Sequence, residues 1–242
     1  MTETPQQAAR RLPAKAAKDG YKLEALHEYR DADGSILYWR IRLKHPDGRK
    51  WIKPMRLNGD RYELKEPEFT NVKPLYRLPE LLTHPDEVLW FCEGEGNADR
   101  LALLGVLSTT SGSNTSARKA GFSPLANRHV SIWPDTDEGG LKHAQEVAEK
   151  LIAVGASVRL VNIKKLNLPH KDDCVDWLEA HPGATTAYLD KLPMADYATA
   201  TSATVTVDVD AKAPCKSQAT RLIELAQTAE LFHDAGGKGY AT

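Results

Sequence analysis

The chain has 242 residues, of which 41% are hydrophobic and 27% charged, with a formal net charge of −1. That is enough for one ordinary globular domain and a smaller companion, and no apolar run approaches the roughly 18 residues of a membrane span. The first residues lack the apolar core of a secretory signal, and Cys92, Cys174 and Cys215 are too scattered for a disulfide framework or a CxxC zinc pair, so the reading is a cytoplasmic protein without membrane or zinc.

Residues 1–20 are rich in Ala, Arg and Lys and read as a frayed helix ending near Gly20. In residues 21–74 aromatic and β-branched residues alternate with charges, punctuated by Asp33-Gly34, Asp47-Gly48 and Asn58-Gly59. Such dipeptides are hairpin signals, and they predict a small antiparallel β module with strands near 25–31, 36–44, 49–56 and 61–65. In the second strand Trp39, Ile41 and Leu43 share one face, and Arg40, Arg42 and Lys44 share the other.

From residue 75 to 193 the rhythm changes to strands alternating with helices. A short connecting helix is expected at 75–83. Strands follow at 88–93, 106–109, 129–134 and 157–163, with helices at 97–104, 115–121 and 138–154. In the last of these, Ala144, Val147, Ala148, Leu151 and Ile152 recur at helical spacing, and Gly155 stands as the stop. The alternation implies an α/β fold with a mostly parallel sheet flanked by helices. Residues 194–216, dominated by Ala, Thr, Val and Asp, read as a linker. Residues 217–242 open with a helical pattern through Phe232 and read as the start of a further domain.

The acids carry the chemistry. Val88–Cys92 and Val130–Pro134 are apolar runs that end abruptly in Glu93-Gly94-Glu95 and in Asp135-Thr136-Asp137-Glu138-Gly139. Runs of this kind read as buried parallel strands, and ligands of open α/β sheets sit outside the carboxyl ends of the strands. Glu93, Asp135 and Asp137 should therefore meet in one crevice, where like charges call for a hard divalent cation. A third acidic step, Asp173-Cys174-Val175-Asp176, follows the last strand. The competing explanation is that such acids cap helices.

Between Tyr38 and Tyr62 stand eight basic residues, among them Arg40, Arg42, Lys44, Lys50, Lys53 and Arg56, against only Asp47 and Asp60. A local surplus interleaved with aromatics suits a phosphate backbone. His84, His129, His143, His170 and His181 show no metal-binding spacing, and Gly236-Gly237-Lys238-Gly239 lacks the remaining marks of a phosphate loop and reads as a turn.

Glu93-Gly94, Asp135-Thr136-Asp137-Glu138-Gly139-Gly140 and Asp173-Cys174-Val175-Asp176-Trp177 together resemble the Toprim domain of primases, topoisomerases and related nucleases. With Tyr38–Lys44, Lys73–Leu81, Ala98-Asp99 and Thr109–Gly112, the chain more closely resembles the Toprim-containing primase–helicases of phages, plasmids and integrated elements. The resemblance implies metal ligation by Glu93, Asp135 and Asp137, with Asp173 as an outer acid and Asp176 beside it. It also implies an acid/base role for Glu93. Two Mg2+ or Mn2+ ions, nucleoside triphosphates, a single-stranded DNA template and a helicase or ATPase domain would complete the machinery. The expected activity is synthesis of short RNA primers; the alternatives are a Toprim nuclease and a non-catalytic DNA-binding or helicase-docking module. Two departures stand out. Gly96 replaces a Lys frequent after Glu-Gly-Glu, and Thr136 replaces a frequent Asn.

Overall fold

The computed structural model describes residues 3–197 except 71, 114 and 170, together with 231–233 and 239–241. The chain divides into two units, Met1–Ala203 and Thr204–Thr242. Among the described residues, no helix is long and apolar enough to cross a membrane.

The first unit opens with α1 (Pro5–Arg11) and α2 (Ala14–Lys18). The single frayed helix expected here is instead two short helices broken at Pro13, which cannot donate a backbone hydrogen bond. Thr4 and Gln7 close a capping box on α1. Ala8, Ala9 and Ala16 are buried against Trp39, Ile41, Leu43 and Met55, so these helices dock rather than fray.

Four antiparallel strands follow, in the order β1 (Lys22–Arg30), β2 (Ile36–Lys44), β3 (Lys50–Asn58), β4 (Arg61–Glu63). The three Asx-Gly dipeptides sit at their turns, with φ of +85° at Gly34, +92° at Gly48 and +62° at Gly59. Alternation along β2 works as expected. Trp39, Ile41 and Leu43 face α1 and α2, and the basic residues face the other way. In β1 the register steps from Leu23 opposite Leu43 to Ala25 opposite Arg42, so Glu24 is the extra residue of a β-bulge.

The rest of the unit is α/β. Its elements run α3 (Leu78–Thr83), β5 (Leu89–Cys92), α4 (Glu95–Ala102), β6 (Leu107–Thr109), β7 (His129–Trp133), α5 (Glu138–Ala153) and β8 (Ser157–Val161). They continue with α6 (Ile163–Leu166), α7 (Cys174–Ala180), α8 (Thr186–Leu189) and β9 (Met194–Asp196). The sheet order is β6-β5-β7-β8-β9, parallel except for β9, which runs antiparallel to β8. The fold is thus α/β, a mostly parallel sheet flanked by helices and preceded by a small antiparallel sheet.

Two layers cover the parallel sheet. Leu89, Phe91, Val130 and Ile132 pack against Ala144, Val147, Ala148 and Leu151 of α5. Trp90, Cys92 and Trp133 face the opposite layer with Ala98 and Leu101 of α4 and Trp177 of α7, and Tyr29 and Tyr38 of the antiparallel sheet join it. Each buried Leu, Ile, Val or Phe side chain among them contributes about 1.5–3 kcal/mol. Ile152, expected on the inner face of α5, is instead exposed.

The helix expected at 115–121 is absent; the segment turns. The Ser116 hydroxyl accepts from the Ser113 amide, which offers the backbone a partner outside a helix. Lys73 then holds the far end, pairing with Lys119 and Gly121 through its backbone. Met194–Asp196, at the head of the stretch expected as linker, forms β9.

In the second unit the described residues form β10 (Leu231–His233) paired antiparallel with β11 (Gly239–Ala241). The helix expected over 217–232 lies outside the described residues apart from Leu231 and Phe232, which are strand. Most of the linker, and the Gly-rich turn apart from Gly239, also lie outside them.

Candidate active site

β5 leads to β6 on one side, and the chain then crosses over to place β7 on the other. The boundary between β5 and β7 is therefore the topological switch point, where crevices of open α/β sheets form. Cys92 pairs with Trp133 across that boundary. Glu93 accordingly leaves β5 level with Pro134, and Asp135 follows one residue later at the same carboxyl edge.

Local structure fixes each acid. Glu93 is half-buried and followed by Gly94 at φ +82°, ψ 152°, a conformation that only glycine adopts without strain. The Thr110 hydroxyl accepts from the amides of both Gly94 (3.1 Å) and Gly112 (3.0 Å), tying the β5 turn to the loop after β6. Asp137 caps α5, its Oδ1 accepting from the Gly140 amide at 2.7 Å. Gly140 lies so close to Asp135 that a Cβ there would sit 2.6 Å from the Asp135 Cβ and 2.8 Å from its carbonyl oxygen. Only glycine lets α5 start in that place.

Asp173 caps α7, its Oδ1 accepting from the amides of Val175 at 2.8 Å and Asp176 at 3.3 Å, while Asp176 Oδ2 accepts from the Asp173 amide at 2.9 Å. Thr136 straps the two acidic segments together. Its amide donates to the Asp172 carbonyl at 3.1 Å, and its hydroxyl donates to the Pro169 carbonyl at 2.8 Å. The capping explanation thus accounts for one oxygen each of Asp137, Asp173 and Asp176. A carboxylate has lone pairs to spare beyond such bonds, so capping aims these groups without exhausting them.

Asp135 has no such role. Its Oδ1 is enclosed and finds no hydrogen-bond partner among the described residues. Burial, then the charges of Glu93, Asp173 and Asp137, push its carboxyl up to about 8, with Lys50 opposing. Four acids therefore share one field. Among the described residues, no three His, Cys, Asp or Glu side chains are gathered closely enough to hold a metal ion as they stand. The donor set is nonetheless all oxygen, and the orphaned Asp135 oxygen is what a hard cation would satisfy. Glu93, Asp135 and Asp137 could hold such an ion, with Asp173 beyond them; Asp176 is exposed at the rim.

A cleft of about 420 Å³ separates this edge from the antiparallel sheet. Asp173, Asp176 and Lys171 line one side, Arg42, Lys44 and Lys50 the other, with Gly96, Asn97 and Asp99 of α4 also in its wall. The six basic residues expected to meet phosphate separate sharply. Arg42, Lys44 and Lys50 come to the cleft. Arg40 does not: its Nη1 donates to Glu95 Oε1 at 2.5 Å, and the Tyr29 hydroxyl donates to the same oxygen at 2.6 Å. Lys53 pairs with Ile41, so it leaves from the opposite face. Arg56 is paired with Glu63 at 2.7 Å.

The surplus of positive charge along residues 38–62 is also smaller in space than in sequence. Glu24, re-aimed by the bulge, pairs with Arg42 and lies 3.8 Å from Lys44. Burial opposes ionisation of Glu24, yet Arg42, Lys44 and Lys50 outweigh it and hold the carboxyl below its ordinary range. Glu24, His27, Tyr29 and the Thr136 strap were not singled out by sequence. A bulge leaves no local signature, and the partner of Arg40 lies 55 residues away.

The fold and site together define an α/β protein with a carboxylate cluster at its switch point and a charged cleft beside it. No protein-family model matches the chain, and no curated protein matches it. Among solved structures it is similar to the crystal structure of the Aquifex aeolicus primase (zinc-binding and RNA polymerase domains), at 16% identity and a TM-score of 0.42. That likeness covers 64% of this chain and 36% of the other, so the chain spans about a third of the length of that protein.

Proposed function

We propose that the acidic edge is a Toprim-type site for divalent cations and that the chain is a primase, joining nucleotides on a single-stranded DNA template. The observation that carries this reading is the Asp135 Oδ1 at the switch point, enclosed and without a hydrogen-bond partner among the described residues, held in the field of Glu93, Asp137 and Asp173. Burying like charges in this way destabilises a protein, and a mere docking surface gains nothing from it. Magnesium or manganese ions, one or two, would neutralise these acids and supply Lewis acidity at a phosphoryl group.

The residues divide the rest of the work. Glu93 moves the proton of the attacking hydroxyl or helps to hold the cation. Asp135 and Asp137 hold the cation, Asp173 steadies it from the far side, and Asp176 extends the acidic rim. Lys50, Arg42 and Lys44 meet the phosphate backbone of template or nucleotide across the cleft. Arg40 acts beneath them, fixing the antiparallel sheet to α4 through Glu95. A helicase or ATPase domain, in this chain's natural context or in a partner, would deliver unwound template.

A second reading has a specific observation in its favour. Asp137, Asp173 and Asp176 each bond to backbone amides, which is sufficient reason for their presence in a non-catalytic DNA-binding or helicase-docking module. Primer synthesis on single-stranded DNA, with labelled nucleoside triphosphates and Mg2+ or Mn2+, separates the readings. The expected result is metal-dependent oligonucleotides that vanish in Glu93→Gln and Asp135→Asn. Template degradation lost in the same variants would identify a nuclease. No turnover, with DNA binding unchanged by either substitution, would identify the docking module.

A further inference from the structure

His27 lies on β1, opposite Arg40 of β2 and on the same face as Ala25 and Tyr29. It is 4% exposed. Its Nδ1 is 3.0 Å from Asp99 Oδ2, and the Tyr76 ring stands edge-on to it at 5.8 Å between centroids. Asp99 is itself fixed, accepting from the Tyr76 hydroxyl at 3.0 Å with the Arg77 guanidinium 3.7 Å away. An ionised carboxylate only accepts, so Nδ1 carries the hydrogen of the His27–Asp99 bond. Nε2 remains. It is enclosed and meets no hydrogen-bond partner among the described residues, and His27 is one of the residues that line the 420 Å³ cleft. An enclosed ring nitrogen without a partner is unfavourable unless a ligand or water supplies one.

The surroundings define the chemistry of that ligand. Lys50, Arg100 and Lys171 line the cleft and form no ion pair among the described residues. Gly96 and Asn97 line it too. They belong to the first turn of α4, which has no side-chain cap, so their amides lack acceptors within the helix. Helix N-termini and cations together favour an anion. Glu24, Asp173, Asp176 and Glu179 line the cleft as well, and Glu24 is already held by Arg42 and Lys44.

We propose that His27 is a phosphate-contacting residue of this cleft, donating Nε2–H to a phosphate oxygen as the imidazolium, in which both ring nitrogens are donors, and that Asp99, which accepts from Nδ1–H, is the residue that positions it. The phosphate belongs either to a free nucleotide or to a nucleic-acid backbone. Taking the ligand as a nucleotide or nucleic acid rests on the proposed function; the histidine contact requires neither metal nor turnover.

Titrating inorganic tripolyphosphate and, separately, a short single-stranded oligodeoxynucleotide into the chain tests this, with the histidine ring nitrogens observed by NMR. The expected result is a shift of His27 Nε2 with at least one probe. Tripolyphosphate assigns the contact to a free nucleotide, and the oligonucleotide alone assigns it to the backbone. His27→Asn keeps a donor for Asp99 but removes Nε2, and should weaken that probe's affinity by about tenfold or more at unchanged Tm. His27→Gln places an amide N–H near Nε2 and should recover most of the loss. A ring that does not respond to either probe overturns the proposal. So does wild-type affinity for both probes in both variants; should His27→Asn fail to fold, the native ring resonance decides. Absent metal binding and turnover with a responding ring would overturn the primase reading alone, and turnover with a silent ring would overturn this proposal alone.

Discussion

Asp135→Asn is expected to lower metal-dependent turnover by more than about 100-fold, since even outer partners of metal ligands carry 10–100-fold, while making the metal-free protein more stable. The direction of the second effect follows from the raised carboxyl. An ordinary aspartate ionises near pH 4, whereas Asp135 is pushed up to about 8, first by burial and then by Glu93, Asp173 and Asp137. Between those values the folded chain holds a proton that the unfolded chain has released. The contribution of Asp135 to stability is thus complete below about pH 4 and is lost as pH rises through about 8. Asparagine does not titrate. The advantage of the variant should grow across that window and level off above it, by on the order of 5 kcal/mol, or roughly 10–20 °C in Tm. Melting curves from pH 4 to 9 in chelator check this. A variant no more stable than the native chain at pH 9 would mean that Asp135 is not under like-charge strain.

Arg40→Ala is expected to be the most destabilising change on the antiparallel sheet, although it removes a residue that sequence places among the phosphate contacts. Glu95 is 2% exposed. Burial opposes its ionisation, but the Arg40 guanidinium and the Tyr29 hydroxyl outweigh burial and hold the carboxyl below its ordinary range. Removing Arg40 leaves a buried charge without compensation, at a cost of about 3–5 kcal/mol, or roughly 6–20 °C in Tm. Without Arg40, burial drives the Glu95 carboxyl upward, so the penalty is largest near neutral pH and shrinks as pH falls and Glu95 takes up a proton. Adding Glu95→Gln to Arg40→Ala should return part of the loss. Arg42→Ala, by contrast, breaks a partly exposed pair with Glu24 and should cost no more than about 1 kcal/mol. Equal Tm losses for the two single variants would show that the Arg40–Glu95 pair is not what joins sheet to helix.

These two residues also show what a sequence discloses. Asp135 was legible because a buried strand must end somewhere, and an apolar run that stops at acid and glycine marks its carboxyl edge. The three Asx-Gly turns were legible for a similar local reason: the backbone conformations they adopt favour glycine. For Arg40 the sequence correctly gave the face, because alternation has a period of two, but not what covers that face. The covering residue, Glu95, comes from another sheet's helix. Lys53 and Arg56 fail for the same reason, since register and cross-strand partners decide where a charge goes. Glu24 needed the bulge, and β9 needed β8 as a template. The segment 115–121 had helix-compatible residues, but the Ser116 hydroxyl binds the Ser113 amide just ahead of it and the Lys73 backbone takes the Gly121 amide and the Lys119 carbonyl at its end.

Binding of Mn2+, followed by electron paramagnetic resonance in the native chain and in Asp135→Asn, tests the central claim most directly, because it needs no substrate and no partner. The cluster of Glu93, Asp135, Asp137 and Asp173 predicts saturable binding to the native protein that is lost or weakened by at least about tenfold in the variant. Native protein that leaves Mn2+ free, or a variant that binds it equally well, would contradict the assignment of these acids as a cation site.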